Sequence, residues 1–174
     1  MATDNERVRM LRDRLWTAEL WMAAAVGSVA SLVVALVSSA LLCRALGRER
    51  PGVFAARSWT SVRVDGKTRL LDLASVWLSG AIFWPWWLRA AGMRIGAGAE
   101  VSTIIDTVPD LVSIGDDCFF ADGVYLAAPR FDRGTMTLGP VQIGAGTFVG
   151  NHAVIAAGAV LPADALLGVS TVAT

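Results

Sequence analysis

Between residues 141 and 173 the chain reads VQIGAGTFVGNHAVIAAGAVLPADALLGVSTVA, which places Ile143, Val149, Ile155, Leu161 and Leu167 six residues apart. A fixed short period with an inward aliphatic is the pattern of a parallel β-helix. Each hexad makes a strand and a corner, three hexads close one turn of coil, and the aliphatics of successive turns stack into one core. The register can be followed upstream. Ile95 and Val101 start hexads, one extra residue near Thr107 moves the next start to Val108, and Ile114, Phe120 and Leu126 resume the step. Residues 127–140 break the count. The fifth place is small in most hexads, as at Ala99, Cys118, Thr147, Ala153, Ala159, Ala165 and Thr171. Gly144, Gly150 and Gly168 follow an aliphatic and are expected to serve corners where a side chain would restrict the backbone angles. The hexads suffice for roughly three to four turns. Open coil ends expose unpaired strand groups and need a cover. The Trp-rich stretch before Ile95 could supply the first, while the last hexad is barely complete at Thr174, so the chain reads as a piece of something longer.

Hydrophobic residues make up 55% of the 174 residues and charged ones 17%, too apolar for an ordinary soluble domain of this length. Residues 1–17 form a polar segment with Arg7, Arg9, Arg12 and Arg14. From Leu20 to Cys43 no charge occurs, and a helix of that length covers about 36 Å, enough to span a bilayer. A transmembrane helix is therefore expected over 18–44, with Trp16 and Trp21 at one end and Arg44, Arg48 and Arg50 at the other. A cleaved signal peptide would have a shorter apolar region followed by a small-residue cleavage site. More basic residues follow the helix than precede it (Arg57, Arg63, Lys67 and Arg69 continue the excess), which puts residues 45 onward in the cytoplasm, at the inner (cell) membrane.

Residues 45–93 read as a connection and capping helices. Within them SVRVDG reads as a short strand and turn, and Trp77, Trp84, Trp86 and Trp87 suit the headgroup boundary. A second full span over 70–93, or a helix packed on the end of the coil, are the alternatives. Fifteen basic and fifteen acidic residues cancel, which argues against a nucleic-acid footprint. Cys43 and Cys118 form neither a disulfide framework nor a metal-ligand pattern, so no metal site is expected.

The hexads are similar to those of hexapeptide-repeat acyltransferases. The runs WWLRAAGMRIGAG, DLVSIGDDCFFADG, LGPVQIGAG and LLGVSTVA resemble, more closely, the membrane-bound C-terminal acyltransferase-like domains of the poly-lysine synthetase family of single-module non-ribosomal peptide synthetases. The resemblance covers roughly residues 84–173. It implies a mainly β fold, a left-handed parallel β-helix over 94–174 with a loop insertion at 127–140. The transmembrane helix and a Trp-rich amphipathic helical segment would precede it. It further implies transfer of an aminoacyl group from a phosphopantetheine thioester on a carrier protein, or from acyl-CoA, to an amine, with no permanently bound cofactor. Carrier and adenylation domains, the lipid bilayer and further copies of the chain, as a dimer or trimer, would be the partners.

Acyl transfer to an amine needs a base for the nitrogen and donors for the oxyanion. The single histidine, His152, occupies the fourth place of its hexad near a corner, beside Asn151, and is the candidate base. It could equally be a packing residue, since no acidic partner is fixed next to it in the sequence. In the resembling domains the inserted loop carries a histidine shortly before its phenylalanine. Here Phe131 is retained and Pro129 stands at the matching place. Arg130, Asp132 and Arg133 remain in that loop as candidate contacts for a substrate carboxylate or a pantetheine phosphate, against a surface ion pair. Asp110, Asp116 and Asp117 read as corner caps or as substrate contacts. The glycine spacing of GAGTFVG is wrong for a dinucleotide loop. Three functions stay open: an acyltransferase-like domain in thioester-dependent amide formation, a non-catalytic structural relative, and a CoA-dependent small-molecule acetyltransferase.

Overall fold

The computed structural model describes residues 4–174, and the chain divides into two compact units, Met1–Ser38 and Ser39–Thr174. The first unit is helical. Helix α1 (Asp4–Ala45) starts in it, and its stretch Trp16–Ala45 is long and apolar enough to cross a membrane. The Ser28 and Ser31 hydroxyls donate at 2.8 Å to the carbonyls of Ala24 and Gly27, so these polar groups are satisfied within the helix. Residues 1–3 of the polar segment lie outside the described residues. From Asp4 onward that segment is the beginning of α1, continuous with the apolar run.

The second unit begins with the last turn of α1, where Ala40 and Cys43 are buried. Strand β1 (Gly52–Ala55), helix α2 (Trp59–Leu78) and helix α3 (Trp84–Ala91) follow. The strand expected at SVRVDG is instead part of α2. Its Val–Arg–Val alternation is overridden by the Ser58 cap, whose hydroxyl accepts from the Ser61 N–H. A helical face formed by Val64, Lys67, Leu71 and Ala74 does the rest, since burying it needs the helix. Gly80 and the turn before Pro85 separate α2 from α3, and among the described residues α1 alone is long and apolar enough to cross a membrane.

The rest is the coil. Its first turn is β2 (Arg94–Ile95), β3 (Glu100–Val101) and β4 (Ile104–Ile105). The second is β5 (Val112–Ile114), β6 (Phe119–Phe120) and β7 (Val124–Leu126). After a hairpin of β8 (Arg130–Asp132) and β9 (Thr135–Leu138), the third is β10 (Val141–Ile143), β11 (Phe148–Val149) and β12 (Val154–Ile155). The fourth is β13 (Val160–Leu161), β14 (Leu166–Leu167) and β15 (Val172–Ala173). One strand from each turn contributes to each of three four-stranded sheets, and every coil pairing is parallel. Ile114, Phe120, Leu126, Ile143, Val149 and Ile155 are buried inside, each contributing about 1.5–3 kcal/mol.

Two features depart from the expected repeat. Val108 does not start a hexad. The third strand of the first turn is Ile104–Ile105, in register with Val124–Tyr125. Val108 instead precedes a 3-10 turn, Pro109–Leu111, because proline has no N–H for a ladder, and it packs with Val64, Leu111, Met136 and Leu138. Glycines in second place also act differently from the expected corner role. A Cβ on Gly115 would lie 2.5 Å from the Ala145 nitrogen and 2.8 Å from its Cα, so glycine is required by backbone approaching from the next turn. The left-handed backbone falls instead on the fourth place, at Gly98, Asp117, Gly123, Gly146, His152, Gly158, Asp164 and Ser170.

The hairpin is more than a surface excursion. Strand β9 pairs with β1 in an antiparallel three-stranded sheet, and Met136 and Leu138 are buried in the cluster below α2. At the start of the coil, Arg89 of α3 donates to the carbonyls of Ile95, at 2.9 Å, and Gly96. The buried Trp84 donates from its indole N–H to the Ser102 carbonyl at 3.0 Å. These bonds satisfy carbonyls that the first turn would otherwise leave open.

Candidate functional site

His152 lies where the sheet of β3, β6, β11 and β14 bends into that of β4, β7, β12 and β15. Its φ of +56° places it in the left-handed region, which histidine tolerates better than most residues. Its N–H donates to the Asp122 carbonyl at 2.9 Å, one turn below. A Cβ added to Gly123 would sit 2.5 Å from the His152 Nδ1 and 2.9 Å from Cε1. The imidazole therefore lies over a glycine, with its Nδ1–Cε1 edge against the coil. It is exposed, and among the described residues its ring has no hydrogen-bond partner.

The column of corner residues around it is polar. Asp122 Oδ1 accepts from the Ser102 hydroxyl and, at 3.3 Å, from that of Thr103, which is itself bonded to Ser79 at 2.8 Å. The Asp122 N–H donates to Asn151 Oδ1 at 3.0 Å. The hydrogen bond from Ser102 holds the Asp122 carboxyl below the ordinary carboxylate range, against some desolvation, with Thr103 and the nearby His152 adding to the effect. Asp122 is thus the acidic neighbour that the local sequence around His152 does not display. The signal for it was in the register: Val149 pairs with Phe120, which brings Asn151 over Asp122 and His152 over Gly123.

A cleft of about 560 Å³ lies beside the first two turns of the coil. Ile82, Pro85, Glu100, Ser102 and Phe119 line it, and Phe119 stacks on Phe148 one turn up, with centroids 5.3 Å apart. Ser102 thus belongs both to the cleft and to the Asp122 cluster.

The structure brings His152 and Asn151 together and leaves the other candidates apart. Arg130, Asp132 and Arg133 are exposed on the hairpin of β8 and β9 and share no hydrogen bond or ion pair with the His152 corner. The three loop aspartates divide. Asp116 accepts from the Ala97 N–H at 2.7 Å as a corner cap, and Asp117 is a left-handed corner residue. Asp110 pairs with the fully buried Lys67. Lys67 also donates to the Gly47 carbonyl and lies 3.8 Å from Glu49 Oε1, while Arg63 bonds Glu49 Oε2 at 3.1 Å. Sequence reasoning missed this ion cluster. Among the described residues, no group of three or more His, Cys, Asp or Glu could hold a metal.

No protein-family profile matches the sequence. Among curated proteins, the chain is 34% identical over 143 residues to the delta-poly-L-ornithine synthetase of Acinetobacter baumannii (strain AB307-0294). The match covers 80% of this chain and 11% of the synthetase, so the chain spans about a tenth of that relative's length. Among solved structures, it is similar to a maltose O-acetyltransferase from Clostridium difficile 630, with a TM-score of 0.54 over 71% of this chain and 82% of that one. At 17% identity that likeness is one of fold. A repeat read from spacing, a coil of parallel strands and a solved structure alike in fold agree on a parallel coil of six-residue repeats, and over most of its length the chain is similar to a segment of a poly-ornithine synthetase.

Proposed function

We propose that this chain is a membrane-anchored, acyltransferase-like domain that takes part in thioester-dependent amide formation within a poly-amino-acid synthetase. The observation that carries the proposal is the similarity to a segment of a poly-ornithine synthetase, joined to an exposed imidazole beside a carboxylate that accepts from Ser102, a residue of the cleft wall. The pantetheine arm of a carrier-bound aminoacyl thioester, or of acyl-CoA, would lie along Ile82, Pro85 and Phe119. The acceptor amine attacks the thioester carbonyl, a C–N bond forms, the C–S bond breaks, and the thiolate leaves. His152 takes the proton lost by the nitrogen and returns it to the sulfur. Asp122 steadies the imidazolium formed in between, and Asn151 fixes the loop that carries both. Arg130, Asp132 and Arg133 would contact a substrate only if a partner brought it to the hairpin.

The same reading keeps residues 18–44 of α1 in the inner membrane with the coil in the cytoplasm. It takes residues 45–93 as interfacial and capping helices, 94–174 as a left-handed coil domain, and carrier and adenylation domains as partners. The exposed Trp77, Ile82, Phe83 and Trp86 support an interfacial contact. The outward Phe119, Phe148 and Leu166 support assembly into a dimer or trimer.

A second reading rests on two observations. Pro129 replaces the loop histidine of the resembling domains, and the left-handed fourth place is filled elsewhere by Asp117, Asp164 and Ser170, so His152 is compatible with a purely structural corner. The measurement that separates them is amide formation from a carrier-bound aminoacyl thioester by the full-length membrane protein, wild type against His152→Ala. The first reading expects a loss of about a hundredfold or more with the fold intact. Turnover unchanged removes His152 from the chemistry, and no turnover in either protein favours the structural domain. Acetylation of small hydroxyl or amine acceptors from acetyl-CoA would instead identify an acetyltransferase.

A further inference from the structure

A second cleft, of about 490 Å³, shares no residue with the His152 corner, and its chemistry differs. One wall is the connection from α1 to β1, with Arg48, Glu49, Arg50 and Pro51, and the floor is the outer face of β2, β5 and β10. On that floor Arg94, Ser113 and Gln142 stand in register on neighbouring strands. Arg48, Arg50 and Arg94 are exposed and, among the described residues, none of them makes an ion pair. The two carboxylates in the cleft wall do not neutralise them, because Asp110 is taken by Lys67 and Glu49 by Arg63. Arg48, Arg50 and Arg94 thus line the cleft with no carboxylate paired to them.

We propose that this cleft binds a phosphate ester. Guanidinium forks match phosphate oxygens in pairs, and the Ser113 hydroxyl and Gln142 amide add neutral donors beside Arg94. The cleft is of small-molecule size, too large for inorganic phosphate alone. Glu49 does not oppose an anion there, since its carboxylate is buried, bonded to Arg63 and 3.8 Å from the Lys67 ammonium. Two sources share this chemistry: the headgroup of an anionic phospholipid, and a soluble phosphopantetheine. Arg48 follows the end of α1 by three residues, which suits the first. The inference does not use His152 and stands or falls apart from the amide-forming reading.

Native mass spectrometry of the full chain in neutral detergent tests it with three probes: dioleoylphosphatidylglycerol, dioleoylphosphatidylcholine and 4′-phosphopantetheine. Two variants remove equal charge, Arg50→Gln/Arg94→Gln from the cleft and Arg57→Gln/Arg69→Gln from exposed positions outside it. Wild type is expected to retain phosphatidylglycerol, phosphopantetheine or both. The cleft variant should weaken that binding by at least about tenfold and the control by less than about twofold. Retention of the lipid alone identifies a headgroup site, and of phosphopantetheine alone a site for a soluble ester. Absence of binding, equal weakening in both variants, or equal retention of phosphatidylcholine, whose headgroup carries no net charge, overturns the proposal. Thermal unfolding of both variants within a few degrees of wild type shows that they fold.

Discussion

Two clusters of titratable side chains, placed side by side, differ in almost every respect. Lys67, Glu49, Asp110 and Arg63 are assembled from the end of α1, from α2 and from the 3-10 turn, and Lys67 is fully buried. Asp122, Asn151 and His152 stand in the open on two adjacent turns of coil, where the His152 N–H bonds the Asp122 carbonyl and neighbouring strands pair on either side. The first cluster is part of what holds the helices to the coil. The second is mounted on a scaffold that is already complete. Stability is expected to be sensitive to the first and activity to the second.

The largest effect on stability should come from Lys67→Met. It leaves Asp110 and Glu49 facing each other without their central cation, and loss of one partner from a buried ion cluster costs about 3–5 kcal/mol. Chemical denaturation of the detergent-solubilised chain would read it, and a change below about 1 kcal/mol would erase the distinction between the clusters. Next comes Gly115→Ala, which sets a methyl 2.5 Å from the Ala145 nitrogen and is expected to cost about 1–3 kcal/mol by forcing two turns apart. His152→Ala should change stability by less than about 0.5 kcal/mol in the same assay, as for other exposed positions. A larger loss would make the corner structural.

The smallest effect concerns pH. Asp122 has its folded-state pKa lowered, so its contribution is present above the ordinary carboxylate pKa of about 4 and is lost as pH falls through the lower folded value. Asp122→Asn should lower the melting temperature slightly at neutral pH and leave it unchanged at the acid extreme, so that the fall between them becomes shallower. Parallel profiles for the two proteins would show that the Ser102 bond adds nothing to folding.

How far these regions could be read from the chain follows from the range of their contacts. The coil was legible because Ile143, Val149 and Ile155 repeat a spacing in which every turn specifies the same neighbour. The Asp122 partner of His152 was legible in principle, since pairing Val149 with Phe120 fixes it, yet it stayed hidden while the histidine was considered only against its chain neighbours. Helix α2 was obscured by the alternation at Val62 and Val64, a local pattern that the buried face extending to Ala74 overrules. The ion cluster had no pattern at all. Lys67 and Asp110 are 43 residues apart, with no periodicity linking them. Gly144 and Gly150 were legible as glycine positions but not in their cause, because the backbone that excludes a side chain there belongs to the next turn, at Ala163 and Val169, whereas Gly168 meets only Thr171 of its own turn.

The repeated left-handed residue at each corner has a further consequence. The same backbone slot is occupied by glycine, aspartate, serine or histidine while the aliphatics inside are unchanged. Side chains at this place can be exchanged without repacking the interior, so the coil resembles a rack whose fittings are replaceable one at a time. A reactive group could be gained, lost or moved by one turn through single substitutions. Relatives with and without catalytic power can then share one architecture, and the presence of the coil says less about chemistry than the identity of the residue in each slot.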